Sequence, residues 1–120
     1  MSNQIQSSNK KYDLAERTAT FAENSIVFAK KIPDNNINRP IVSQFIRAAT
    51  SIGANYMEAD CAESKKDFKH KISICKKESK ETTFWLRIIA HGNPALSEDC
   101  RKLGQESHEF TLIFSSIFKS

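Results

Sequence analysis

Residues 64–90 read SKKDFKHKISICKKESKETTFWLRIIA, and this stretch decides the fold. Its apolar line is Phe68, Ile72, Cys75, Ser79, Thr82, Leu86 and Ile89, stepping by four and three. That step is the period of a helix with one buried seam. At about 100° per residue, Lys65, Lys69, Lys76, Lys80 and Arg87 fall within a sector of roughly 60°. A third line carries Asp67, Ile74, Glu78, Glu81, Trp85 and Ile88. A helix packed only into its own chain needs one apolar and one solvated face; this one adds a cationic line and an acidic line containing an aromatic. The stretch holds eight basic and three acidic residues, a net +5, whereas the 120-residue chain is +4. The positive charge is therefore local.

Working outward, a chain of 120 residues predicts one domain with a real core. The three glycines and three prolines are few for a β protein and fall at expected element ends. Charged residues at 27% and apolar residues at 39% are ordinary for a soluble protein. No apolar run approaches the roughly 18 residues of a membrane span, and the N-terminus lacks the apolar stretch of a signal peptide. These features predict a cytoplasmic protein without a membrane partner. Cys61, Cys75 and Cys100 are odd in number and widely spaced, which predicts reduced thiols and no zinc site. Cys75 and Cys100 fall on apolar seams, where free cysteine acts as a small hydrophobe.

Residues 1–11 are polar and are expected to form a disordered tail, with residues 12–120 as the folded domain. A first helix is expected from Asp13, with Glu16 completing a capping box. Its seam is Leu14, Thr18, Phe21, Ser25, Phe28 and Ile32, and Pro33-Asp34-Asn35-Asn36 ends it. A second helix is expected from an N-cap at Asn38, with Pro40 in the first turn, to about Ala62. Its seam is Ile41, Phe45, Ala48, Ile52, Tyr56 and Ala59. Ser64 and Asp67 form the start of the third helix, and His91-Gly92-Asn93-Pro94 reads as its C-cap. The fourth begins near Ser97, with Glu98 and Asp99 complementing the helix dipole. Its seam is Cys100, Leu103, Ser107, Phe110, Phe114 and Ile117. Four helices with heptad-like seams and short connections predict an all-α, antiparallel up-and-down four-helix bundle.

Arg47-Ala48-Ala49-Thr50-Ser51-Ile52-Gly53-Ala54-Asn55-Tyr56-Met57-Glu58-Ala59 resembles the signature of the bacterial four-helix-bundle proteins named for 23S rRNA intervening sequences. Ser64-Lys65-Lys66-Asp67-Phe68, Lys71-Ile72, Lys77-Glu78, Glu81-Thr82 and Trp85-Leu86 are similar to its second block. Tyr12-Asp13-Leu14 and Ile113-Phe114-Ser115-Ser116-Ile117 extend the similarity over most of residues 12–118. The resemblance implies a homopentameric ring. It also implies a link to a retroelement-associated branch whose members bind a reverse transcriptase and nucleic acid. It implies no catalytic residues and no cofactor.

The cationic line is read as a nucleic-acid-binding surface or as a solvated lysine face. Over 22 residues it runs about 33 Å, long enough to follow phosphates. No aromatic interleaves it in sequence, which argues for phosphate contact rather than base stacking. Ile74, Glu78, Glu81, Trp85 and Ile88 form a patch expected to be exposed on a single chain and to serve as an oligomer interface, unless it widens the core face. Acidic and basic lines on opposite sides suit a head-to-tail contact that closes into a ring. Arg47, Ser51, Asn55 and Glu58 form a polar line on the second helix, assigned to packing or subunit specificity. His70, His91 and His108 lie far apart, with His91 placed to cap the third helix. No Glu-x-x-His, HExxH or glycine-rich phosphate loop is present.

These readings converge on a non-enzymatic homo-oligomer, pentameric by resemblance, binding RNA or other nucleic acid without sequence preference as an accessory or scaffold. The partners would be its own copies, a nucleic acid and a nucleic-acid-processing protein. The alternative is a protein-binding assembly module whose opposite charges satisfy each other around the ring.

Overall fold

The four apolar lines become four helices: α1 (Leu14–Ala29), α2 (Asn38–Asp60), α3 (Lys65–Gly92) and α4 (Ser97–Lys119), with a 3-10 turn at Pro94–Leu96. The structure is a computed structural model and describes residues 13–120. The tail expected over residues 1–11 lies outside the described residues. Among the described residues there is no strand. The helices run up and down in chain order. The α2–α3 and α3–α4 pairs make the most extensive contacts and α1–α4 the slightest. The bundle is therefore built around α3, the longest helix, with α1 leaning mainly on α2.

All six seam positions of the first helix are buried, from Leu14 to Ile32 just beyond the end of α1. Ile72, Cys75, Ser79, Thr82, Leu86 and Ile89 are buried on α3, and Phe68 packs against the core more loosely. On α4, Cys100, Ser107, Phe110 and Phe114 are buried. Edge-to-face aromatic pairs join the elements: Phe21 meets Phe110 at 5.5 Å and Phe28 meets Phe45 at 6.0 Å between ring centroids. The buried hydroxyls bond carbonyls of their own helices, so none of them enters the core unpaired. Thr18 donates to the Leu14 carbonyl at 2.6 Å, and Ser79 and Thr82 bond the carbonyls four residues back at 2.8 Å.

Helix ends differ from expectation in three places. Asp13 precedes α1 but makes no side-chain cap bond. Asn38 is not the N-cap of α2; Asn35 supplies the capping oxygen, accepting from the Ile37 and Asn38 amides at 3.0 and 2.8 Å. Asn38 is instead the buried first residue of the helix. Its side-chain amide donates to the Pro33 carbonyl at 2.8 Å and pairs reciprocally with the Asn93 amide at 3.1 Å. The end of α3 uses no left-handed glycine, since no glycine has positive φ. Asn93 closes it through its backbone N–H and its side chain, both donating to the Ile89 carbonyl. The Ser64 cap forms as read, accepting from the Asp67 amide at 3.0 Å.

Candidate nucleic-acid interface

The three faces of α3 meet three different environments, because α2 covers one flank of the helix and α4 the other. The core seam points between them. The acidic flank turns toward α2, where Arg47 reaches across to Glu78 and Glu81. One guanidinium nitrogen lies 3.3 Å from the Glu78 carboxylate, and another bonds Glu81. Glu78 is 5% exposed, so Arg47 neutralises a carboxylate that is almost wholly buried. Lys71 of α3 pairs with Glu58 of α2 at 2.7 Å. Two of the residue sets read separately in sequence therefore form one cross-helix network. Arg47 and Glu58 engage α3, whereas Ser51 and Asn55 bond carbonyls of their own helix, at 2.6 and 2.8 Å.

This network changes the setting of the patch expected to be exposed. Glu78 is buried, and Ile74, Glu81, Trp85 and Ile88 are half-buried within a single chain. Trp85 packs against the core, and its indole N–H is buried without a hydrogen-bond partner. The cause is the adjacent α2, which sequence periodicity does not locate.

The cationic flank is different. Lys65, Lys80 and Arg87 are exposed, and Lys69 and Lys76 are half-buried. None of the five joins an ion pair among the described residues. The structure also brings aromatics to this side. The Lys69 ammonium sits 5.3 Å from the centroid of the Phe118 ring, contributed by α4. Phe84 lines a shallow groove of about 480 Å³ with Ser73, Lys76, Lys77, Lys80 and Glu81. No aromatic interleaves the five cations along α3 itself, but Phe84 lies beside the line and Phe118 arrives from another helix. Phe84 was legible as an outward-facing aromatic four residues after Lys80; Phe118 carried no such local signal.

Sequence reasoning also missed Arg17. It bridges the α1–α4 seam to Glu106 at 3.0 Å and to Glu109, with its guanidinium 5.1 Å from the Phe110 ring centroid. The adjoining groove of about 360 Å³ is lined by side chains of both signs, including Glu16, Arg17, Lys102 and Glu106. Burial pushes the Cys75 thiol up to about 12 and the Cys100 thiol to about 11, so both are protonated core groups near neutral pH. Among the described residues no three His, Cys, Asp or Glu side chains gather as a metal site. No described helix is long and apolar enough to cross a membrane.

Comparison with known proteins follows the same architecture. The family model described as 23S rRNA-intervening sequence protein matches residues 10–116. Among solved structures, the chain is similar to a protein of unknown function from the S23 ribosomal protein family of Bacteroides thetaiotaomicron VPI-5482. Identity is 29%, with a TM-score of 0.83, covering 92% of this chain and 99% of the other. Comparison with curated proteins finds no match.

Proposed function

Because the chain belongs to the 23S rRNA-intervening sequence protein family, we propose that it is a non-enzymatic, self-assembling helical bundle that binds RNA or another nucleic acid through the cationic flank of α3. The observation that carries this reading is the asymmetry of ion pairing on one helix. The acidic flank is engaged by Arg47, whereas Lys65, Lys69, Lys76, Lys80 and Arg87 have no carboxylate partner among the described residues. Unpaired cations spread over about 33 Å of helix suit a polyanion. Binding is phosphate-driven, tolerant of sequence and steeply salt-dependent. The protein acts in the cytoplasm as an accessory or scaffold to a nucleoprotein, including one built by a nucleic-acid-processing enzyme. A homopentamer is the assembly implied by the sequence resemblance, with Ile74, Trp85 and Ile88 contributing apolar contact.

Light scattering at low and high salt, with and without a structured RNA, tests both parts. A particle near 68 kDa, five times the 13.6 kDa chain, that gains mass with RNA only at low salt is expected. Lys69→Glu with Lys76→Glu should remove the RNA-dependent gain and leave the assembly whole. A ring that ignores RNA and falls apart on this charge reversal favours the alternative, a protein-binding module whose lysines hold neighbouring subunits. The exposed Ile26, Val27 and Leu112 supply apolar surface for that alternative.

A further inference from the structure

We infer that the ligand of this surface is single-stranded nucleic acid, held by stacking of unpaired bases on Phe84 and Phe118 as well as by phosphate contacts to the surrounding lysines. The inference rests on the reading of α3 as a nucleic-acid surface and specifies the form of nucleic acid it takes.

Phe84 is 51% exposed and Phe118 40%, whereas the phenylalanines of the core are at most 4% exposed. Phe84 pairs edge-to-face with the Trp85 ring, 5.0 Å between centroids, and keeps half of its surface open to solvent. Its groove is lined by Ser73, Lys76, Lys77 and Lys80, and by the Glu81 carboxylate that Arg47 engages. The Lys69 ammonium lies over one face of the Phe118 ring, 5.3 Å from its centroid. Along α3, Lys69 and Phe84 are about 22 Å apart and rotated by only about 60°. At about 3.4 Å per stacked nucleotide, one strand of roughly six nucleotides reaches both rings. A positive track with aromatic platforms is the combination that retains unpaired bases, because every base offers a π face. In a duplex those faces are already stacked, and only the phosphates remain accessible to lysine.

Charge argues against a second copy of this chain as the occupant. A protein surface closing over Phe84 would desolvate three ammonium groups. The nearby carboxylates of Glu78 and Glu81 are already engaged by Arg47. A polyanion neutralises those lysines while its bases cover the ring.

The test compares fluorescein-labelled (rU)20, (dT)20 and a 20-base-pair RNA duplex, titrated against the full chain at two salt concentrations. Wild type is expected to bind the single strands more tightly than the duplex. Phe84→Leu with Phe118→Leu keeps apolar side chains of similar size and removes the π faces. It should weaken (rU)20 and (dT)20 binding by roughly five- to a hundred-fold, with duplex affinity, salt slope and particle mass unchanged. Phe84→Trp should retain single-strand binding. Lys76→Glu with Lys80→Glu should weaken single strand and duplex alike and flatten the salt slope. Leucine variants that bind (rU)20 as wild type does overturn the stacking role and leave a phosphate-only surface. Loss of particle mass in the Phe84→Leu chain identifies the ring as a subunit contact and also overturns it. Wild type that binds none of the three probes at low salt overturns the nucleic-acid reading itself.

Discussion

Gly53 of α2 faces Thr18 of α1 so closely that a methyl group on residue 53 would lie 3.0 Å from Thr18 Oγ1 and 3.2 Å from its Cβ. The Thr18 side chain fills the space between the two helices, and they approach this closely because Gly53 adds none. Thr18 is held in place by its bond to the Leu14 carbonyl, so its hydroxyl is not free to swing away. Gly53→Ala should therefore destabilise the bundle by about 1–3 kcal/mol through overpacking, although alanine favours the helix itself by about 1 kcal/mol. Urea denaturation should show a lower midpoint at constant m-value. Thr18→Ala in the same chain should restore part of the loss; a midpoint at or above wild type for Gly53→Ala alone would mean the helices separate without cost.

Arg47 neutralises Glu78 across the α2–α3 contact, and the two sides differ in exposure. The Glu78 side chain is 7% exposed and that of Arg47 47%. One Glu78 oxygen already lacks a hydrogen bond. Arg47→Ala leaves a buried carboxylate without its counter-ion and should cost about 1–3 kcal/mol, less than for a fully buried pair because Arg47 is partly solvated. Glu78→Gln introduced with it should recover stability, since a neutral amide is less costly to bury. A double-mutant cycle in denaturant measures the coupling. Additive losses would show that the pair contributes nothing beyond its separate packing.

The three thiols should separate by reactivity. Cys61 is exposed, whereas Cys75 and Cys100 are buried with thiols raised to about 12 and about 11. Iodoacetamide on the native protein should label one cysteine rapidly, and all three only in denaturant. The same shifts predict an alkaline limb of stability. Both folded thiols stay protonated above their ordinary value of 9.0, at which the unfolded chain begins to ionise. Between those values the unfolded state holds fewer protons, so stability falls as pH rises. The contribution is whole below about pH 9 and is lost toward pH 12 for Cys75 and pH 11 for Cys100. Cys75→Ala with Cys100→Ala should flatten that limb in urea melts taken between pH 8 and 10.5; an unchanged slope would trace it to other groups.

The Asn38–Asn93 amide pair ties the start of α2 to the end of α3. Asn38 also bonds the Pro33 carbonyl in the α1–α2 connection. Asn38→Leu removes these bonds at a site only 5% exposed and leaves their partners without them. A loss of about 1–3 kcal/mol is expected. Amide hydrogen exchange should rise first at residues 32–38 and 89–94; uniform acceleration across all helices would instead indicate a global effect.

The helices and their buried lines were legible from residue spacing alone, because a 3.6-residue period binds sequence position to helix face before any neighbour is known. The seam from Leu14 to Ile32 and the core line of α3 follow directly from that period. Cap residues were less legible. Asn35 and Asn38 are chemically equivalent candidates, and only the path of the loop after Pro33 decided that Asn35 caps while Asn38 pairs with Asn93.

What the sequence by itself determined about this protein is an all-α bundle, its family, and one helix carrying cations and acids on opposite flanks. Which flank is satisfied was decided only by tertiary structure. Arg47 and Glu78 are 31 residues apart, and Lys69 and Phe118 are 49 apart. Helical periodicity orients a side chain about its own axis but contains nothing about which helix lies beside it. Placing α2 on the acidic flank neutralised the glutamates, while α4 brought an aromatic, not a carboxylate, to Lys69.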